Sequence, residues 1–143
     1  MKHQLKFMML LIGASIITFT GCEKDRPHFT KTSFTLTTTE RIKAGSYIGY
    51  FTSTGDPTTA GTWTMQSTVV PPDSLYCSQT LTVPGKGTIT ALTDCSLINN
   101  TGVWHITDGT GAYANLRGNG TLLMLNITQP NSSEEWKGNT WRE

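Results

Sequence analysis

The feature that most constrains the fold is the regular return of turn-forming residues, about every 8–12 positions, from residue 33 onward. The segments between these turns are short and rich in Thr and β-branched residues, and they alternate apolar with polar side chains. Alternation of this kind is the period of a half-buried strand. No segment has a convincing helical period. The pattern predicts an all-β fold of about eight or nine antiparallel strands, as a barrel or a sandwich.

The densest turn signals follow the alternating stretch Val103–Thr107, which runs directly into a turn at Asp108–Gly111. We predict a short strand over Ala112–Arg117, a second turn at Gly118–Gly120, and a further strand over Thr121–Ile127. Strand, turn, strand, turn and strand in this order predict an antiparallel meander.

The other predicted strands are recognised by the same alternation. Pro71-Pro72 ends one of them, since proline cannot donate to a ladder, and Pro84–Gly87 is a strong hairpin loop. The predicted strands are Ser33–Glu40, Tyr47–Thr52, Gly61–Val70, Leu75–Val83, Thr88–Leu97 and Glu135–Trp141.

Length and charge limit the possible functions. A chain of 143 residues predicts one folded domain, and a net charge of +1 gives no electrostatic reason to expect nucleic-acid binding. No phosphate-binding loop, dinucleotide fingerprint or metal-ligand spacing is present, so we expect no cofactor and no metal. We divide the chain into a signal peptide (1–21), a lipidated tether (22–32) and a β-barrel domain (33–143).

The N-terminus predicts export. Lys2 and Lys6 precede Phe7–Phe19, an apolar run of 13 residues that is too short for a bilayer core of about 30 Å but typical of a signal peptide. Its end, Phe19-Thr20-Gly21-Cys22, resembles the lipobox of bacterial lipoproteins, in which the cysteine is lipidated. The alternative is an ordinary signal peptide with an incidental cysteine. Lipidation predicts a protein anchored in the cell envelope, in the outer membrane. The charged segment Glu23–Pro27 resembles a surface-export signal, and the alternative is a solvated tether.

If Cys22 carries lipid, Cys77 and Cys95 remain as a pair in an oxidising compartment. Each lies on the apolar face of a predicted strand, and two neighbouring strands that face one interior can bring cysteines within bridging range. We predict a structural disulfide between them. Two buried reduced thiols or a redox pair are the alternatives, although no C-x-x-C spacing favours redox work.

The segment from Trp104 to Gly120 resembles the W-x-I-x-x-G-T-G-x-Y/F-x-x-L/A-x-G-x-G signature of allene-oxide-cyclase-like and dirigent-like barrels. Gly87–Thr90 and Trp136–Gly138 are similar to flanking strands of that group. The resemblance covers residues 61–141 and implies an eight-stranded antiparallel barrel, often oligomeric, with an apolar interior pocket. The matching motif positions are Trp104, Gly109, Thr110, Gly111, Tyr113, Arg117, Gly118 and Gly120.

Arg117 and Asp108 are the candidate catalytic residues. An interior Arg117 could hold an anionic or phenolic ligand, and a buried Asp108 could act as an acid or base. Their ordinary interpretations are an arginine at a strand end in water and an aspartate that caps a turn. The motif itself needs no catalytic explanation, since its glycines permit turn geometry and Tyr113 can pack onto Trp104.

Three hypotheses follow. The first is a lipid-anchored, non-catalytic barrel that binds a small apolar or glycan-like ligand or a partner. The second is an isomerase- or cyclase-like enzyme, which requires at least two buried ionisable side chains converging in one cavity. The third is a structural surface module, for which homo-oligomerisation is expected.

Overall fold

The computed structural model describes residues 26–126 and 132–143, and these residues form eight long strands and one short helix. Inward-facing apolar side chains alternate with outward-facing polar ones along the strands, as the sequence predicts. A 3-10 helix, Gly111–Tyr113, lies between the sixth and seventh strands. The strands are β1 (Thr30–Lys43), β2 (Ser46–Thr54), β3 (Thr59–Val70), β4 (Ser74–Val83), β5 (Gly87–Ser96), β6 (Thr101–Gly109), β7 (Leu116–Asn126) and β8 (Ser133–Arg142).

Each strand pairs antiparallel with the next, and β8 pairs with β1, so the sheet closes into a barrel without edges. The predicted fold class, an all-β antiparallel barrel of about eight strands, is confirmed, and the sandwich alternative is excluded. Closure removes the unpaired edges through which open sheets aggregate. No helix in the described part of the chain is long and apolar enough to cross a membrane.

The predicted meander is wrong at its second turn. Gly118 and Gly120 lie inside the single strand β7, and the expected short strand over Ala112–Arg117 is replaced by the 3-10 helix and the start of β7. These two glycines allow the Trp104 ring and the backbone of β8 to lie close to β7. A Cβ on Gly118 would lie 3.1 Å from the Trp104 ring, and one on Gly120 would lie 2.1 Å from the carbonyl oxygen of Lys137. Glycine within a strand commonly marks such packing.

The sheet begins earlier than predicted, because β1 starts at Thr30, within the segment assigned to the tether. The predicted signal peptide, Cys22 and most of the charged segment that follows it lie outside the described residues.

Aromatic side chains fill the centre of the barrel. Trp104 and Trp136 stack with ring centroids 5.6 Å apart, and Phe34 contacts both edge-on, at 5.7 and 5.8 Å. All three are almost completely buried. Each such pair adds about 0.5–1.5 kcal/mol beyond the burial of its apolar area.

The two ends of the barrel are built differently. We call the end with the β2–β3 and β4–β5 connections and the 3-10 helix the closed end, and the end with the β1–β2, β3–β4 and β5–β6 connections the open end. At the closed end Arg142 makes two hydrogen bonds to the carboxylate of Asp56, at 3.0 and 3.2 Å. The buried hydroxyl of Thr140 lies 2.6 Å from that of Thr32 and donates to the carbonyl oxygen of Asp56.

Candidate functional site

A cavity of about 680 Å³ lies inside the open end of the barrel. This volume is within the range of small-molecule sites, roughly 300–1,000 Å³. Polar groups at the mouth include Arg41 and Asn100. The walls are mostly apolar, and the apolar side chains come from four strands and the β5–β6 connection: Tyr47, Met65, Val69, Leu75, Leu97 and Met124.

Glu134 lies at the inner boundary of the cavity. It is the second residue of β8, and alternation along that strand points it inward with Trp136 and Thr140. Its Oε2 atom accepts hydrogen bonds from Nε2 of Gln79, at 3.0 Å, and from Nε1 of Trp136, at 2.9 Å. Two donors from different strands therefore fix the orientation of this carboxyl group.

The surroundings of the Glu134 carboxyl group favour its protonated form. Burial raises its pKa above the ordinary value of 4.5, and the hydrogen bonds from Gln79 and Trp136 offset only part of that increase. Glu134 makes no ion pair with any described residue. Burying a carboxyl group without a cationic partner costs less free energy when the group retains its proton.

Glu134 belongs to a buried group that we call the polar layer: Cys77, Gln79, Thr93, Cys95 and Glu134. Nε2 of Gln79 also lies 3.3 Å from the hydroxyl oxygen of Thr93. Burial and the nearby carboxyl of Glu134 raise the pKa of both Cys77 and Cys95 from 9.0 to about 12, so both are thiols at neutral pH. Among the described residues, Oε1 of Gln79 is the one buried side-chain polar atom without a hydrogen-bond partner.

Cys77 and Cys95 face the interior from neighbouring strands, as their alternation predicts, and both are free thiols in the structure. The register pairs Cys77 with Thr93 and Cys95 with Leu75, so the cysteines are diagonal neighbours rather than opposite ones. Diagonal neighbours are typically about 7–8 Å apart, more than a disulfide normally spans. The structure does not contain the predicted disulfide, which stays a prediction.

The two residues predicted as catalytic do not line the cavity. Arg117 lies near the closed end, where its guanidinium pairs with Glu143 at 3.0 Å and donates to the carbonyl oxygen of Leu116 at 2.9 Å. Asp108 is exposed and accepts a hydrogen bond from the backbone N–H of Gly109 at 2.8 Å. Their surroundings match the ordinary interpretations of a strand-end arginine and a turn-capping aspartate.

The remaining motif residues contribute to packing and to backbone conformation. Trp104 is buried and donates from Nε1 to the carbonyl oxygen of Thr121 at 3.1 Å. The 3-10 helix begins at Gly111, which has a φ of +58°, and Tyr113 at the end of that helix is buried. The motif therefore packs the centre and the closed end and contributes nothing to the cavity wall.

Neither Glu134 nor Gln79 was predicted from the sequence as a site residue. The predicted last strand starts at Glu135, two residues after the observed start at Ser133, so Glu134 lay outside the predicted alternation. Gln79 was recoverable, since it lies between Cys77 and Leu81 on the face already assigned to the interior. A polar residue at an inward position is the signal that identifies both.

Within residues 26–126 and 132–143, no group of three or more His, Cys, Asp or Glu side chains is arranged to hold a metal ion. Neither a family model nor a curated protein matches the chain. The cavity and the polar layer beside it are therefore the features on which a function can be argued.

Proposed function

We propose that this protein is a binding barrel that holds a small, mostly apolar molecule in the cavity at its open end. The observation that carries the proposal is the combination of apolar walls with one buried, oriented carboxyl group, Glu134, at the inner boundary. A concave apolar site with few, fixed polar groups is the usual form of a small-molecule site. The apolar walls favour a hydrophobic ligand over a glycan-like one.

The chain offers a direct test, because only two of its five methionines, Met65 and Met124, follow the predicted signal peptide, and both line the cavity. Strands β1 to β8 close the barrel without help from residues 1–25. A chain beginning at Glu23, labelled with carbon-13 in its methionine methyl groups, therefore gives two cavity signals apart from any initiator methionine. We expect both to shift on titration with phenylnaphthylamine, a neutral apolar fluorophore.

A matched pair of variants controls this experiment. Leu75 lines the cavity, whereas the next residue, Tyr76, points outward and is half-exposed. L75W should fill the cavity and abolish the fluorescence gain of phenylnaphthylamine, whereas Y76W should leave it unchanged. Methionine signals that do not move, or equal binding to both variants, would contradict the proposal.

The enzyme hypothesis stays a second proposal, supported by the convergence of three buried ionisable side chains, Cys77, Cys95 and Glu134, beside one cavity. A carboxyl group with a raised pKa beside a cavity is suited to protonating a substrate oxygen. The substrate class to test is a neutral aliphatic epoxide, such as epoxydecane: Glu134 would protonate the epoxide oxygen as its C–O bond breaks, and a water molecule would add to the carbon and return a proton to the carboxylate, so that the product analysed is the diol. E134Q should keep binding and lose turnover, and equal product from both chains would count against catalysis.

We also propose that Cys22 is lipidated and that the protein is anchored in the cell envelope, in the outer membrane and exposed at the surface. The support is the signal-like leader and the lipobox resemblance. Since β1 begins at the closed end, anchoring there would leave the cavity mouth facing away from the membrane. Labelled palmitate should be incorporated into the full chain but not into C22S, and label in both would refute the assignment.

A membership among allene-oxide-cyclase-like and dirigent-like barrels remains a proposal as well. It is supported by the quoted motif and by an eight-stranded antiparallel barrel with an interior cavity. Homo-oligomerisation, which the structural-module hypothesis requires, is supported by exposed Val103 and Leu123 beside a shallow outer groove on β6 to β8. Sedimentation of the chain and of L123E tests it, and a strictly monomeric native chain would weigh against it.

A further inference from the structure

We propose that Glu134 acts as a hydrogen-bond donor to the ligand, and that the site selects neutral molecules with an apolar body and an accepting oxygen, such as ketones, esters or lactones. This inference rests on the proposed binding function and names the ligand class. It follows from which oxygen of Glu134 is occupied, from the surroundings of the carboxyl, and from the cavity walls.

The two oxygens of the carboxyl are not equivalent. Oε2 accepts from two nitrogen donors, Gln79 Nε2 and Trp136 Nε1, and these two accepted bonds make it the less favourable oxygen to carry a proton. Oε1 has no hydrogen-bond partner among the described residues, and it is not one of their fully buried atoms without a partner, because Glu134 lines the cavity. In the neutral acid the proton is accordingly on Oε1, as an O–H that a ligand oxygen can accept.

Among the described residues, no cationic group pairs with Glu134 to stabilise its ionised form. The titratable groups beside it on β4 and β5 are the thiols of Cys77 and Cys95, which bring no positive charge. Arg41 and Tyr47 line the same cavity from β1 and β2, but Arg41 makes no ion pair with Glu134. An ammonium ligand would need an ionised carboxylate in this apolar setting, and a carboxylate ligand would bury a second acid beside the first.

The test compares three ligands that share a ten-carbon skeleton and differ in the polar end: methyl octyl ketone, decanoate and decylammonium. The affinity of each ligand is measured by its displacement of phenylnaphthylamine from the native chain, from E134Q and from E134L. Glutamine is the closest mimic of a neutral glutamic acid, since its oxygen can accept from Gln79 and Trp136 while its amide nitrogen donates to the ligand. Leucine keeps most of the volume and removes both functions.

The expected result is that the ketone binds the native chain and E134Q within about threefold and binds E134L about tenfold more weakly, the effect of losing one buried hydrogen bond. The ketone should also bind the native chain more tightly than decanoate or decylammonium. If E134L does not fold, E134M takes its place, because methionine has the length of glutamine but cannot donate a hydrogen bond to the ligand.

Other outcomes overturn the inference in distinguishable ways. Tight decylammonium binding that E134Q abolishes would show an ionised carboxylate, and tight decanoate binding that E134L abolishes would show an acid-recognising site. Equal ketone binding in all three chains would show that Glu134 does not touch the ligand, while the binding barrel would stand. If none of the tested compounds shifts the Met65 and Met124 signals, the proposed binding function and this inference are both overturned.

Discussion

The closed and open ends of this barrel solve the same problem, how to terminate eight strands, in opposite ways. At the closed end, connections and the 3-10 helix cover the interior, and polar groups satisfy one another, as in the bonds among Thr32, Asp56 and Thr140. At the open end, a cavity reaches inward to Glu134, whose Oε1 is left without a partner among the described residues. The difference is that side chains fill the barrel from the polar layer to the closed end, whereas the open end holds the cavity in which we propose that a ligand binds.

The largest expected contrast comes from truncating one large side chain in each region. W104A removes a fully buried ring from the aromatic centre and should lower the free energy of unfolding by about 3–5 kcal/mol. M65A should cost about 2 kcal/mol or less, because Met65 already borders empty space. Urea unfolding followed by circular dichroism measures both. Equal losses would show that the open end is packed as firmly as the centre.

The next contrast is a pH dependence specific to the open end. The folded-state pKa of Glu134 lies above the unfolded value of about 4.5, so the folded chain binds the proton more tightly. Its stabilising contribution is complete below pH 4.5 and is lost as the pH rises towards the folded pKa, at about 1.4 kcal/mol per pH unit. E134Q should lack this loss and become more stable than the native chain as the pH rises. If the unfolding free energies of the two chains change in parallel with pH, this prediction is contradicted.

A smaller effect is expected at the closed end from T140V. This change removes a buried hydroxyl and leaves its partners, Thr32 and the carbonyl of Asp56, short of a bond, at a cost of about 1–3 kcal/mol. T62V, on the outward face of β3, is the matched control and should be nearly neutral. Probe binding should be unchanged in both variants. A loss of binding in T140V would show that the two ends are coupled.

The smallest effect is expected from R117A. Its ion pair with Glu143 is partly exposed, and such pairs contribute about 1 kcal/mol or less. Since Arg117 lies outside the cavity, the affinity for phenylnaphthylamine should change less than twofold. Thermal unfolding and fluorescence titration measure the two quantities. A large loss of affinity would restore Arg117 as a ligand-binding residue and would move the site to the closed end.

Much of the fold was predictable because its signal is local. Alternation along the predicted strands placed Cys77 and Cys95 on interior faces, and proline and glycine marked most strand ends. The candidate site was less predictable. The motif pointed to Arg117 and Asp108, whose residue types suit chemistry but whose positions lie away from the cavity.

An all-β chain of short alternating strands follows from the order of the residues alone, because a period of two is a property of neighbouring residues. That Gly118 and Gly120 continue a strand depends on tertiary contacts, since what excludes a side chain there comes from β6 and β8. Tertiary contacts also bring Gln79 of β4 to Glu134 of β8, 55 positions apart in the chain. The burial that raises the pKa of the Glu134 carboxyl group is made by closure of the barrel, and no local pattern encodes it.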